Sequence, residues 1–228
     1  MIVLALDTAT SATVAAVSAG DGPVSEARDD PPPGSRPGHA GRVLELAEQA
    51  LAGAGVGWDR LDRLAVGVGP GGFTGLRIGV ATGRALAQAL DVPLVAVSSL
   101  RALALAAREA AGGRAIFALV DARRGEVFAA AWNGGGEPIL APGAYAPEVL
   151  TAALTGASGL PLAVGDGALR FAAELRAAGA ELPSDGSPLH RIGGAALCEL
   201  GRAGQIVARE ELLPDYLREP DAKPPRLP

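Results

Sequence analysis

The sequence predicts an α/β protein built from two related halves. Short apolar runs alternate with segments of helical periodicity along the whole chain. In addition, one local pattern occurs twice. Val3-Leu4-Ala5-Leu6-Asp7, a turn and an apolar run over 13–17 are matched by Ile116-Phe117-Ala118-Leu119-Val120-Asp121, a turn and a run over 127–131. Each reads as a strand that ends in aspartate and returns as a hairpin. So long a period is not that of a solenoid and points to two related subdomains.

The runs 2–6 and 13–17 are the first hairpin. Asp29-Asp30-Pro31-Pro32-Pro33-Gly34-Ser35-Arg36-Pro37-Gly38 reads as a loop, because proline blocks both helix and ladder hydrogen bonds. A helix follows over 39–54, with Val43, Leu44, Ala47, Ala50, Leu51 and Ala54 recurring at three- and four-residue steps. A strand over 64–68, a helix over 76–90 and a strand over 94–97 come next, then a serine-capped helix over 99–111. The second hairpin precedes a helix at 147–154, a strand at 162–164, a helix at 168–178 and a last helix at 194–203. The tail from Pro214 is proline-rich and reads as extended over the surface.

Two halves that each open with a strand–Asp hairpin follow the plan of the actin-like (ASKHA, ribonuclease H-like) two-lobed fold. This predicts a first lobe over residues 1–100 and a second, smaller one over 101–192. A C-terminal helix and extended tail over 193–228 then pack back on the first lobe. Fold analogy alone supplies no activity.

With 25 acidic and 20 basic residues and a formal charge of −5, the chain is not built mainly to grip nucleic acid by itself. A single cysteine, Cys198, excludes an internal disulfide and suits a reducing cytosol. The N-terminus reads as a core strand, not a signal peptide, and no apolar run is long enough to cross a bilayer. The expectation is a cytoplasmic protein with no membrane association.

The segment Gly69-Pro70-Gly71-Gly72-Phe73-Thr74-Gly75-Leu76-Arg77-Ile78-Gly79 joins a strand to a helix. Its glycines permit either an anion cradle of backbone N–H groups or a tight buried turn. Asp7 and Asp121 either hold a metal through water or cap their own turns. Neither turn has the paired glycines that wrap a phosphate. Arg123 and Arg124 either hold an anion or are solvated hairpin charges. Asp7, Thr8, Gly71, Gly72, Thr74, Arg77, Asp121 and Arg123 are therefore the candidate anion or nucleotide contacts. There is no catalytic set and no metal site. The two histidines, His39 and His190, have no ligand partner at helical spacing, and no G-x-S-x-G elbow occurs.

Gly75, Gly79, Gly83 and Ala87 recur every four residues. Interior glycines cost about 1 kcal/mol each in helix propensity, so this row needs a backbone packed closely against it. That backbone is either the chain's own sheet or a second protein. In the second case, the partner face comprises His39, Val43, Leu44, Ala47 and Leu51 on the first helix. Gly75, Leu76, Gly79, Val80, Gly83 and Ala87 form it on the second.

These residues resemble the TsaB (YeaZ) family. The resemblance rests on Leu6-Asp7-Thr8-Ala9-Thr10, on His39, on the glycine segment, and on Val97-Ser98-Ser99-Leu100. It extends to Asp121-Ala122-Arg123 with Glu126-Val127-Phe128, to Gly165-Asp166-Gly167-Ala168 and to Pro214-Asp215-Tyr216-Leu217-Arg218. It implies a non-catalytic subunit that works with its paralogue TsaD and the ATPase TsaE. Together they transfer a threonylcarbamoyl group to N6 of adenosine 37 in tRNAs reading codons that begin with A. It also implies TsaD pairing through the first two long helices, homodimers in TsaD's absence, and tRNA bound through the complex. It further implies that no cofactor is held tightly by this chain and that ATP and metal belong to the partner subunits. The catalytic paralogue carries a His-x-x-x-His pair on its first helix, whereas here His39 is followed by Val43. Phe128 stands where the family pattern leads one to expect tyrosine. The rival readings are an actin-like ATPase or kinase, the carbamoyl transferase itself, or a direct tRNA binder.

Overall fold

In the computed structural model, which describes residues 1–32, 34–157 and 159–218, two sheets share one strand plan. β1 (Ile2–Asp7), β2 (Thr13–Ala19) and β3 (Ser25–Asp29) form an antiparallel meander. After α1 (His39–Ala54), β4 (Arg63–Gly69) joins the other side of β1 in parallel. α2 (Phe73–Leu90) then leads to β5 (Leu94–Ser98), parallel to β4. α3 (Ser99–Ala111) crosses to the second sheet. There β6 (Ile116–Asp121), β7 (Val127–Trp132) and β8 (Pro138–Tyr145) repeat the meander. α4 (Pro147–Thr155) precedes β9 (Leu162–Val164), which pairs with β6 in parallel as β4 does with β1. α5 (Asp166–Arg170), α6 (Ala172–Ala177), α7 (Gly194–Ala203) and β10 (Ile206–Val207) complete the chain, β10 lying antiparallel on β5. The orders are β10-β5-β4-β1-β2-β3 and β8-β7-β6-β9. The duplicated α/β plan of the actin-like fold is thus present.

β1 and β6 are apolar up to their terminal aspartates because both faces of each are covered. Leu4 and Leu6 point into a core with α1 and α2, where they meet Val43, Leu46 and Val80. Val3 and Ala5 point the other way, toward α7 and α3. In the second sheet Ala118 and Val120 share that same core, while Phe117 and Leu119 face Leu150, Leu154 and Leu175 of α4 and α6. α3 therefore lies between the sheets, and Ala102, Leu103 and Ala107 fill the space. Its N-cap is Ser98, whose hydroxyl accepts from the Arg101 N–H. Cys198 on α7 is buried against Ala16, and burial pushes its thiol up to about 12.

Several elements differ from expectation. β3 and β8 are additional strands, both at sheet edges, and β3 takes in Asp29 from the expected loop. β10 is likewise additional. α2 begins at Phe73 rather than 76. The helix expected over 168–178 is two short helices divided at Phe171, whose φ of −113° and ψ of 31° leave the helical region. Of the tail expected to run extended from Pro214, residues 219–228 lie outside the described residues, as does Pro33 of the proline loop.

Candidate functional site

α2 lies unusually close to the turn after β1. The Thr8 hydroxyl donates to the Gly75 carbonyl at 2.7 Å, and the Gly72 N–H donates to the Ala9 carbonyl at 2.6 Å. A Cβ at Gly75 would lie 2.1 Å from the Thr8 carbonyl oxygen, one at Gly79 2.4 Å from the Thr8 hydroxyl, and one at Gly83 2.4 Å from Val66. The glycine row is thus occupied by the chain's own first sheet. This corrects the partner-face reading. Gly75, Leu76, Gly79, Val80, Gly83 and Ala87 are buried within the chain, as are His39, Val43, Ala47 and Leu51 on α1. Of the residues expected there, Leu44 alone is exposed, at 47%. Apolar periodicity marks the face that a helix buries, and both helices bury it on their own sheet. Their outward faces carry Leu44, Glu45 and Glu48 on α1, and Thr74, Ala81 and Ala85 on α2.

Asp7 and Thr8 are likewise committed internally. Asp7 is buried; its carboxylate accepts from the Ala9 N–H at 2.8 Å and from the Ser99 hydroxyl at 3.1 Å. Burial raises its pKa to about 6, against the pull of those two donors. It caps its turn and ties β1 to α3, so neither Asp7 nor Thr8 is open to an anion. His39 pins the start of α1 through an Nδ1 contact of 2.8 Å to the Thr13 hydroxyl, and burial holds its pKa below the ordinary value. Val43, where a second ligand would stand, is in the core. Among the described residues no group of three His, Cys, Asp or Glu side chains could hold a metal.

The remaining candidates gather around open space between the sheets. A cavity of about 580 Å³ is lined by Gly71, Gly72 and Arg77 from the first sheet's side and by Asp121 and Arg123 from the second hairpin. Thr74 lies instead on an adjoining cleft of about 820 Å³, which Gly72, Asp121 and Arg123 also border. Arg123 and Arg124 have φ of 59° and 53°, a conformation that non-glycine residues seldom adopt and that recurs at functional sites. Asp121 accepts from the Arg123 N–H at 2.8 Å and pairs with the Arg170 guanidinium, also at 2.8 Å. Its own N–H donates to Asp166, whose pKa burial raises.

The C-terminal segment after α7 closes the cavity, and sequence reasoning had not placed it there. The Asp215 N–H donates to the Val68 carbonyl at 2.7 Å. Arg77 Nε donates to the Tyr216 hydroxyl at 3.0 Å, with its guanidinium 3.7 Å above the Phe73 ring and the Phe73 and Tyr216 ring centroids 5.3 Å apart. Arg218 donates to the Ala122 carbonyl at 3.0 Å, pairs with Glu126 and sits 5.6 Å over Phe128. The segment Pro214-Asp215-Tyr216-Leu217-Arg218 is therefore a strap between α2 and the second hairpin. The available signal was aromatic scarcity: two of the chain's four phenylalanines and one of its two tyrosines line this cavity.

Comparison with known proteins decides the family. The chain is 32% identical to the tRNA threonylcarbamoyladenosine biosynthesis protein TsaB of Escherichia coli K12, over 96% of this chain and 95% of that one. The chain belongs to the TsaB (YeaZ) family. The Haemophilus influenzae TsaB is 40% identical over 90 residues, which are 40% of this chain and 38% of that protein. YeaZ from Pseudomonas aeruginosa superposes with a TM-score of 0.74 at 29% identity, covering 95% of this chain and 99% of that one. Residues 31–146 match the family described as TsaD, tRNA N6-adenosine threonylcarbamoyltransferase. A hexokinase of the ROK type from Thermus thermophilus, at 18% identity and a TM-score of 0.51, covers 88% of this chain and 99% of its own; it shares the actin-like fold alone. No described helix is long and apolar enough to cross a membrane.

Proposed function

We propose that this chain is the non-catalytic subunit of the machinery that places threonylcarbamoyl on N6 of adenosine 37 in tRNAs reading codons that begin with A. It acts in the cytoplasm by pairing with TsaD and activating it, with TsaE joining the assembly and tRNA bound through the complex. The observation that carries this reading is the near-full-length relationship to TsaB. The internal commitment of the residues a catalyst would use supports it. Asp7, Thr8 and His39 spend their polar atoms on the chain's own backbone and hydroxyls, and Asp121 is paired with Arg170. ATP turnover and metal belong to the partner subunits in this reading.

The partner surface is the outward side of α1 and α2, where Leu44, Ala81 and Ala85 offer small and apolar exposed contacts. The same side serves the homodimer when TsaD is absent. The cavity under the strap, with Arg77 and Arg123 beside Gly71 and Gly72, is the place where an anion contacts this chain. Mixing the purified chain with TsaD and measuring complex mass and ATP turnover of each component tests the reading. A heterodimer, and no turnover by this chain alone, is expected. Metal-dependent turnover by the isolated chain would replace it with the ATPase reading.

A further inference from the structure

A separate cavity, of about 270 Å³, runs along one side of α3, where Arg101, Leu105 and Arg108 face the hairpin between β7 and β8. Trp132, the last residue of β7, lies half-buried in its wall, and the Arg101 guanidinium stands 5.0 Å from the indole centroid. Arg101 occupies the first turn of α3, at the positive end of the helix, where a cation adds nothing to helix stability. It is exposed, and among the described residues its guanidinium has no carboxylate partner.

The acids near this cavity are already engaged or distant. Glu137 is bonded to the Asn133 side chain, Glu181 to Arg114, and Glu199 lies 3.9 Å from Arg108 with both side chains largely exposed. Arg114 is fixed by the Ala110, Ala111 and Leu160 carbonyls as well as by Glu181, so it shapes the wall without offering charge. Gly134, Gly135 and Gly136 form another wall without side chains, which lets a planar ring approach the backbone.

We propose that Arg101, Arg108 and Trp132 form a docking site for an unpaired RNA nucleotide, its base stacked on the guanidinium that Arg101 lays over the indole and its flanking phosphate on Arg108. Unpaired RNA is recognised by this combination of aromatic or guanidinium stacking with backbone neutralisation. A cavity this small accepts one heterocycle rather than a whole cofactor. An acidic peptide would compete for the arginines but would gain nothing from the indole. The inference extends the tRNA-modification reading by naming an RNA contact of this chain. With a net charge of −5 the contact is weak and local, an auxiliary to the complex.

The test is fluorescence anisotropy of a labelled oligoadenylate heptamer with the full chain at low salt. Trp132→Leu and Arg101→Gln should each weaken binding roughly tenfold, while Trp132→Phe retains most of it. Arg108→Gln should lower the slope of log affinity against log salt by about one. In a Trp58→Phe background, Trp132 emission should be quenched saturably by the RNA. Absence of binding, or binding indifferent to all three positions, overturns the proposal. Displacement by a heptaglutamate peptide with the same dependence on Trp132 and Arg101 also overturns it, in favour of an acidic partner. TsaD association and thermal midpoints of the variants, measured alongside, separate failure of this site from failure of the subunit reading.

Discussion

The Thr8 hydroxyl donates a 2.7 Å hydrogen bond to the Gly75 carbonyl, across 67 residues of sequence, and so welds the first hairpin turn to the first turn of α2. The closeness of that contact explains the glycine row. Each missing Cβ on α2 is the space that Thr8 or Val66 fills. Substitution in the row therefore attacks folding before it touches any partner.

Gly79→Leu places a side chain where the Thr8 hydroxyl sits, 2.4 Å from the would-be Cβ. Overpacking of this kind costs on the order of 3 kcal/mol. Urea denaturation should show a large fall in stability. An unchanged midpoint would mean that α2 does not rest on the β1 turn as described.

Asp7 gives the chain a specific pH signature. Its folded pKa, about 6, is above its ordinary 3.8. The stability tied to its proton is fully present below pH 3.8 and is lost as pH rises to about 6. Asp7→Asn keeps an acceptor for the Ala9 N–H and removes the charge. The variant should lose this component of the pH dependence and gain on the order of 2 kcal/mol at pH 7. Urea melts of both proteins at pH 4.5 and pH 7 measure it, and parallel pH profiles would sink the assignment.

The strap is held at both ends by arginine. Tyr216→Phe removes the Arg77 bond while keeping the ring on Phe73, at a cost of about 1 kcal/mol. Arg218→Ala frees the other end from Ala122 and Glu126. Hydrogen exchange over residues 212–218 should quicken modestly in the first variant and strongly in the second. Equal, wild-type protection in both would show that the strap is held by something other than these two side chains.

On the outward faces of α1 and α2, Leu44→Glu and Ala85→Arg should leave the melting behaviour within about 0.5 kcal/mol of the parent. Both should abolish TsaD binding in size-exclusion chromatography. Undiminished binding would move the partner surface elsewhere.

The halves of the fold that sequence reveals are those with strands buried on both faces. β1 and β6 read as continuous apolar runs ending in aspartate. β3, Ser-Glu-Ala-Arg-Asp, and β8, with Pro138 and Pro142, are edge strands that need no apolar pattern and so give none. The site follows the same logic. Gly71, Gly72, Arg77, Asp121 and Arg123 stand out by residue type and do converge on one cavity. The direction of the glycine row does not stand out, because periodicity tells that a face is buried without telling by what. Tyr216 meets Arg77 from 139 residues away, a distance no local pattern spans.

The central claim is that the chain activates TsaD without replacing it. The direct measurement is tRNA modification in vitro from threonine, bicarbonate and ATP. It is run with all subunits, without this chain, and with this chain in place of TsaD. The account predicts modified adenosine in the first reaction alone. Modification in the second would make the chain dispensable, and modification in the third would make it the catalyst; either contradicts the account.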